Sequence, residues 1–221
     1  MTDIKKLVMP NVQKLTAYNA KEIPCKVKLD ANESPFSVFS VKCLVLSGKK
    51  TLQSLNRYPD PEAKELKKVI ARNLNVNPEN ILMGNGSDEL IYYLITTFGG
   101  TVLYPTPTFS MYGIISQALG QKKIEIPLDE EFDLDAEKIL NIIKKNKPKL
   151  IFLSSPNNPT GNCFSSDRIL KIIAASKGIV IADEAYQPFS SEKGFLPMLS
   201  DYKNLVILRT LSKIGLAGLR V

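Results

Sequence analysis

Apolar positions in this chain follow two periods, and the two alternate. Ser87 to Phe98 places Leu90, Ile91, Leu94 and Ile95 on one helical face, and Asp135 to Lys145 does the same with Ile139, Leu140 and Ile143. Helices are also expected over Thr108–Leu119 and Ser165–Ala175. Between these stretches lie short apolar runs that read as buried strands: Ile81–Met83, Thr101–Tyr104, Lys122–Ile126, Leu150–Leu153, Ile179–Ala182 and Leu205–Leu208. Strand and helix in strict alternation predict an α/β fold: a mostly parallel sheet with helices on both faces. The first eighty residues differ. They predict an extended arm, a strand at Lys26–Leu29, and helices over Lys42–Leu55 and Pro61–Leu74. Domains are therefore expected at 1–60 (arm and partial small lobe) and 61–221 (large domain).

In parallel sheets ligands gather beyond the carboxyl ends of the strands, and four unusual strings stand there. Gly84-Asn85-Gly86-Ser87-Asp88-Glu89 joins a strand to a helix; its glycines allow a tight turn, and the helix N-terminus it opens favours an anion. An ordinary helix cap explains it equally well, and it matches neither the P-loop nor the GxGxxG fingerprint. Ser155-Pro156-Asn157-Asn158-Pro159-Thr160-Gly161 is a rigid turn that can present an amide. Ala182-Asp183-Glu184-Ala185-Tyr186 puts a carboxylate at the end of a buried strand, where it needs a cation, although a helix cap at Asp183 is the simpler role. Thr210-Leu211-Ser212-Lys213, followed by Gly215, Gly218 and Arg220, offers an amine among hydroxyls, with an arginine fork suited to phosphate.

Composition narrows the chemistry. The 221 residues hold 29 Lys+Arg against 22 Asp+Glu, a net charge of +7. The lysines are dispersed, as in Lys64, Lys67, Lys68 and Lys144, Lys145, Lys147, so solvated helix faces and a phosphorylated small molecule are expected rather than nucleic acid. There is no histidine, which removes Ser-His-Asp and Cys-His catalysis and histidine-ligated zinc within this sequence. Cys25, Cys43 and Cys163 are far apart with no CxxC, as in a reducing, cytoplasmic setting without a metal site. No apolar run approaches the ~20 residues that span a bilayer, and Met1–Pro10 lacks the apolar core of a signal peptide.

Taken jointly and in this order, SPNNPTG, ADEAY and TLSK resemble the fold-type I pyridoxal 5′-phosphate (PLP) enzymes, and within them the class I/II aminotransferases. Leu29-Asp30-Ala31-Asn32-Glu33-Ser34-Pro35, Asn56-Arg57-Tyr58-Pro59-Asp60 and Gly84–Glu89 are similar to the histidinol-phosphate aminotransferase branch. The resemblance implies a PLP-dependent transferase fold. It implies that Lys213 forms a Schiff base with the cofactor and that Asp183 pairs with the pyridine nitrogen. Asn158 and Tyr186 would bond the ring hydroxyl, and Phe109 would stack on the ring, with Tyr112 as the rival. Ser87, Asp88, Thr210, Ser212 and Arg220 would form a phosphate cup. Tyr58 would reach the cofactor phosphate of a neighbouring subunit, which implies a homodimer, and Tyr18 and Asn32 would lie near substrate. The implied substrates are a phosphorylated amine, L-histidinol phosphate, and 2-oxoglutarate.

Three departures accompany the resemblance. Lys213 to Arg220 is one residue shorter than the family spacing, a difference the turn at Gly215 is expected to absorb. Phe36–Ser47 lacks the usual Gly-Pro-Ser turn. The family also continues well past the position of Val221 into a C-terminal lobe that carries a substrate-gripping arginine; that lobe is missing from this sequence. Two other readings stay open: a threonine-phosphate decarboxylase on the same scaffold, and a non-catalytic phosphate-binding α/β domain with Gly84–Asp88 as its anion loop.

Overall fold

The computed structural model describes residues 3–16 and 58–221. The expected strand at Lys26–Leu29, the helix at Lys42–Leu55, and Tyr18 and Asn32 lie outside the described residues. The chain divides into two compact units, Met1–Thr16 with Gly84–Val221, and Ala17–Met83.

The larger unit is built on five parallel strands: β1 (Val102–Thr106), β2 (Lys123–Pro127), β3 (Leu150–Ser154), β4 (Ile179–Asp183) and β5 (Leu205–Leu208). Their order is β2-β1-β3-β4-β5. Every residue of β3 and β4 is buried, as expected of strands covered on both faces. Successive side chains point to opposite faces, and the core divides accordingly. Leu103, Ile151, Leu153, Val180 and Ala182 pack with Ile139 and Ile143 of α5 (Ala136–Asn146) and with Ile169, Ile172 and Ile173 of α6 (Ser166–Ala175). Val102, Tyr104, Leu150, Phe152, Ile179 and Ile181 pack with Ile91 and Ile95 of α3 (Ser87–Phe98) and with Tyr112 and Ile115 of α4 (Met111–Ala118).

Local chemistry fixes the ends of these elements. Asp135 caps α5 by accepting the Lys138 N–H at 3.0 Å. Gly178 stands just before β4, where backbone crowds it: a Cβ there would lie 2.3 Å from the Pro148 carbonyl oxygen, so only glycine fits. The Asn204 amide, buried before β5, donates to the carbonyls of Ile173, Ser176 and Gly178 and ties the end of α6 to the start of two strands. Residues of the N-terminal arm, with the one-turn helix α1 (Pro10–Gln13), join this unit: the Met9 N–H donates to the Thr97 carbonyl at 2.9 Å, and Lys149 Nζ to the Leu7 carbonyl at 3.0 Å.

In the second unit, α2 (Lys64–Leu74) begins three residues later than Pro61. Asp60 causes the delay. Its carboxylate accepts the N–H groups of Glu62 and Lys64, folding residues 60–63 into a turn before the helix. Ile81–Met83 is not a strand. Three apolar residues make a strand only when a neighbour supplies ladder bonds, and no described strand pairs with them.

Phe152 lies at the centre of the sheet and stacks on Tyr112, with ring centroids 4.7 Å apart and planes 15° from parallel. Phe152→Ala should cost about 3–5 kcal/mol of stability, the range for emptying a buried aromatic position. Urea unfolding of the variant against the parent checks it.

Candidate active site

The carboxyl ends of β1, β3, β4 and β5 open into one pocket of about 160 Å³. Its lining includes Ser87, Asp88, Phe109, Asn158, Asp183, Tyr186, Thr210, Ser212, Lys213 and Arg220, all expected at the site from the sequence. Ser154 and Ala185 complete it. Tyr58 belongs to the second unit and is exposed.

Asp183 is the last residue of β4 and is 3% exposed. Oδ2 accepts the Tyr112 hydroxyl at 2.6 Å, and Oδ1 accepts the Ala185 N–H at 3.0 Å. Burial raises the Asp183 pKa, and these two bonds oppose the rise. No cation pairs with this carboxylate among the described residues. Nor does Asp183 cap a helix; a short 3₁₀ turn, Gln187–Phe189, follows instead. A buried carboxylate bordering a pocket is suited to a ligand that brings a positive charge.

The next residue makes a different arrangement. Glu184 is as buried as Asp183 but is already paired: Arg209 Nη2 and Nε reach its Oε2 at 2.7 and 2.9 Å. Phe195 N–H donates to the other oxygen at 2.5 Å. This ion pair bridges the ends of β4 and β5. It was not legible in the sequence, where Glu184 is only the middle of ADEAY and Arg209 only a residue before TLSK.

The asparagine pair divides its work. Asn157, 2% exposed, accepts the Thr108 hydroxyl at 2.7 Å and donates to the Pro107 carbonyl and to the Thr160 hydroxyl. It binds the turn after β3 to the turn after β1. Asn158 instead faces the pocket, and its amide has no partner among the described residues. An unpartnered amide at a pocket wall is available to a ligand oxygen. The two ring candidates also separate. Tyr112 is fully buried against Phe152, whereas Phe109 lines the pocket and packs edge-on against Tyr112 at 5.6 Å.

Anion-binding groups gather on the opposite wall. α3 starts at Ser87, and no side chain caps its first turn from Gly86, so its leading N–H groups are open to an anion. Gly86 has φ +78°, and a Cβ on it would meet the Arg220 guanidinium at 2.5 Å, which makes glycine a requirement there. The Gly86 N–H donates to the Arg220 carbonyl at 2.8 Å and holds Arg220 against the helix start. Gly215, at φ +91°, turns the chain between Lys213 and Arg220, so both line the pocket despite the short spacing. Thr210 lines it too, but its hydroxyl is engaged with backbone: it donates to the Val221 carbonyl at 3.0 Å and accepts the Ser212 N–H at 3.1 Å. That leaves Ser87, Ser212, Arg220 and the helix N–H groups for a phosphate. Lys213 Nζ lies 5.3 Å from the centroid of the Tyr186 ring, at the exposed side of the pocket.

The pocket thus combines a buried anion, an open amide, an aromatic face, an amine and a cationic anion cup. These are the complements of a flat heteroaromatic cation that carries a phosphate and a carbonyl.

Residues 24–221 match the family described as aminotransferase class I and II. The chain is similar to the histidinol-phosphate aminotransferase of Caldanaerobacter subterraneus, 40% identical over an alignment of 222 positions that covers 99% of this chain and 63% of that protein. The chain spans a little under two thirds of the length of the curated relatives it matches. Among solved structures, histidinol-phosphate aminotransferase from Sinorhizobium meliloti in complex with pyridoxal-5′-phosphate superposes with a TM-score of 0.67 at 27% identity, covering 74% of this chain and 46% of that one. L-threonine-O-3-phosphate decarboxylase from Porphyromonas gingivalis gives 0.65 at 26%, covering 77% and 51%.

The asparagines provide a direct check. Asn157→Ala should lose about 1–3 kcal/mol, because a buried amide is removed and the Thr108 hydroxyl, the Pro107 carbonyl and the Thr160 hydroxyl lose their partner. Asn158→Ala should stay within about 0.5 kcal/mol of the parent. Thermal or urea unfolding of the two variants side by side reads the difference.

Proposed function

Because this chain belongs to the class I and II aminotransferase family, we propose that its pocket holds pyridoxal 5′-phosphate and transfers the amino group of L-histidinol phosphate to 2-oxoglutarate. The observation that carries the proposal is Asp183: a buried carboxylate without a cationic partner among the described residues, in the same pocket as Lys213, Asn158 and Arg220. When bound, PLP supplies an aldehyde for an amine and a ring that accepts an electron pair.

The chain's own residues then have distinct tasks. Asp183 holds a proton on the ring nitrogen, its charge offsetting the cation. Asn158 donates its amide N–H, and Tyr186 its hydroxyl, to the ring oxygen. Phe109 covers one ring face. Ser87, Ser212, Arg220 and the α3 N-terminus grip the phosphate, with Asp88 and Thr210 shaping the cup around them. Lys213 anchors the cofactor through Nζ. As a free amine, Nζ would serve as the base that accepts and returns the proton of the amine-bearing carbon of a bound substrate. The Tyr186 ring lies beside Nζ, 5.3 Å away, and gives the amine an aromatic neighbour.

For the wider site, Tyr58 is assigned to the cofactor phosphate of a second subunit in a homodimer, and Tyr18 and Asn32 to substrate. Of the two units, the one formed by Met1–Thr16 and Gly84–Val221 would carry the cofactor, so the expected boundary at residue 60 moves to Gly84 and the N-terminal arm residues 1–16 join the large unit. No described helix is long and apolar enough to cross a membrane, and the proposed setting is the cytoplasm.

A second reading has one observation in its favour, the fold likeness to the threonine-phosphate decarboxylase. The same cofactor grip serves both reactions, and the bond held perpendicular to the ring decides between them. The PLP-loaded enzyme offered L-histidinol phosphate and 2-oxoglutarate should form glutamate, and Lys213→Ala should lower that rate by a factor of at least about 10³, as expected when a residue acts as both anchor and base. Carbon dioxide release from O-phospho-L-threonine, without glutamate formation, would favour the decarboxylase.

A further inference from the structure

The Tyr112 hydroxyl donates to Asp183 Oδ2 at 2.6 Å, and Ser154 is the other side chain that hydrogen-bonds it. The rest of its ring is committed to packing: it stacks on Phe152 and meets Phe109 and Tyr104. Tyr112 comes from α4 and Asp183 from β4, 71 residues apart, so two core elements fix the distance between them. Packing alone needs no hydroxyl there, since a buried phenylalanine fills nearly the same volume. A buried O–H must find an acceptor, and here the acceptor is the carboxylate on which the proposed cofactor depends.

The electrostatics around the pair give the bond a direction. Tyr112 is held well above its ordinary pKa, first by burial and then by the Asp183 charge, so it is a neutral donor at any physiological pH. Asp183 is faced by Glu184 on its own strand end and by Asp88 from α3, and both, like burial, favour its protonated form. The Tyr112 O–H and the Ala185 N–H are the groups that oppose them.

We propose that Tyr112 is a positioning residue that fixes the Asp183 carboxylate and keeps it ionised, so that the proton shared with a ring nitrogen rests on the nitrogen. The inference depends on the PLP reading of the pocket. Without the hydroxyl donor, the negative charge on Asp183 is less dispersed and the carboxyl competes better for that proton. Tyr112→Phe keeps the ring that stacks on Phe152 and removes the hydroxyl that donates to Asp183 and contacts Ser154. Phe152→Leu disturbs the stack and keeps the donor.

The test is the ¹⁵N resonance of ring-labelled PLP at neutral pH in the parent, in both variants, and in Asp183→Asn as the unprotonated reference. The expected result is a protonated signal in the parent and in Phe152→Leu, and a Tyr112→Phe signal displaced toward that of Asp183→Asn. An unchanged signal in Tyr112→Phe overturns the inference, as does an equal displacement in Phe152→Leu, which would make the role one of packing. If Tyr112→Phe does not fold, the ¹³C resonance of the Asp183 carboxyl in the parent without cofactor decides: an ionised carboxyl at neutral pH supports the proposal, and a protonated one overturns it. A parent that forms no PLP complex at all would instead refute the cofactor reading.

Discussion

A carboxylate at the end of a strand buried on both faces is the constraint on which the rest of the site turns. Asp183 has left water, and its lost hydration is only partly replaced by one phenol and one backbone N–H. Its neighbour Glu184 shows the usual solution to the same problem, an arginine held in two contacts. The two adjacent acids thus have opposite roles. Glu184 is satisfied and joins two strand ends; Asp183 is left able to accept a positive charge from the pocket.

The parallel sheet makes that contrast useful. Each strand ends on the same side, so the turn after β1 brings Phe109, the turn after β3 Asn158, the end of β4 Asp183 and Tyr186, and the turn after β5 Lys213. These groups are distant in sequence and meet because both sheet faces are sealed by helices and the ladder fixes the register. The anion cup has a separate origin, in a helix start that glycine leaves uncapped and that the Arg220 backbone bonds directly. The strand ends and the start of α3 carry Asp183 and Ser87, while Lys213 and Arg220 come from the short turns after β5.

Much of this was legible in the sequence. Long periodic segments such as Ser87–Phe98 and Leu150–Leu153 fall where their patterns put them, to within a residue. Three of the chemistry-bearing strings stand at strand ends and the fourth at the start of α3; nine of the residues they nominated, with Phe109 from the resemblance, line one pocket. What was not legible is long-range. Nothing in the string Asn157-Asn158 tells which amide knits the turn; the answer lies with Thr108 and Pro107, some fifty residues earlier. The Tyr112–Asp183 and Glu184–Arg209 pairs are likewise products of the assembled sheet. Thr210 reads as a phosphate ligand, yet its hydroxyl bonds the backbone of its own loop. Ile81–Met83 has the composition of a strand and lacks the ladder partner that would make it one.

The central claim is that Lys213 is the amine that carries the cofactor. Incubating the protein with PLP, reducing with borohydride and mapping the proteolytic peptides by mass spectrometry tests it most directly. The account predicts one phosphopyridoxyl group, on the peptide containing Lys213, in stoichiometric amount. Modification scattered over the surface lysines, or concentrated at a lysine outside the pocket, would contradict it.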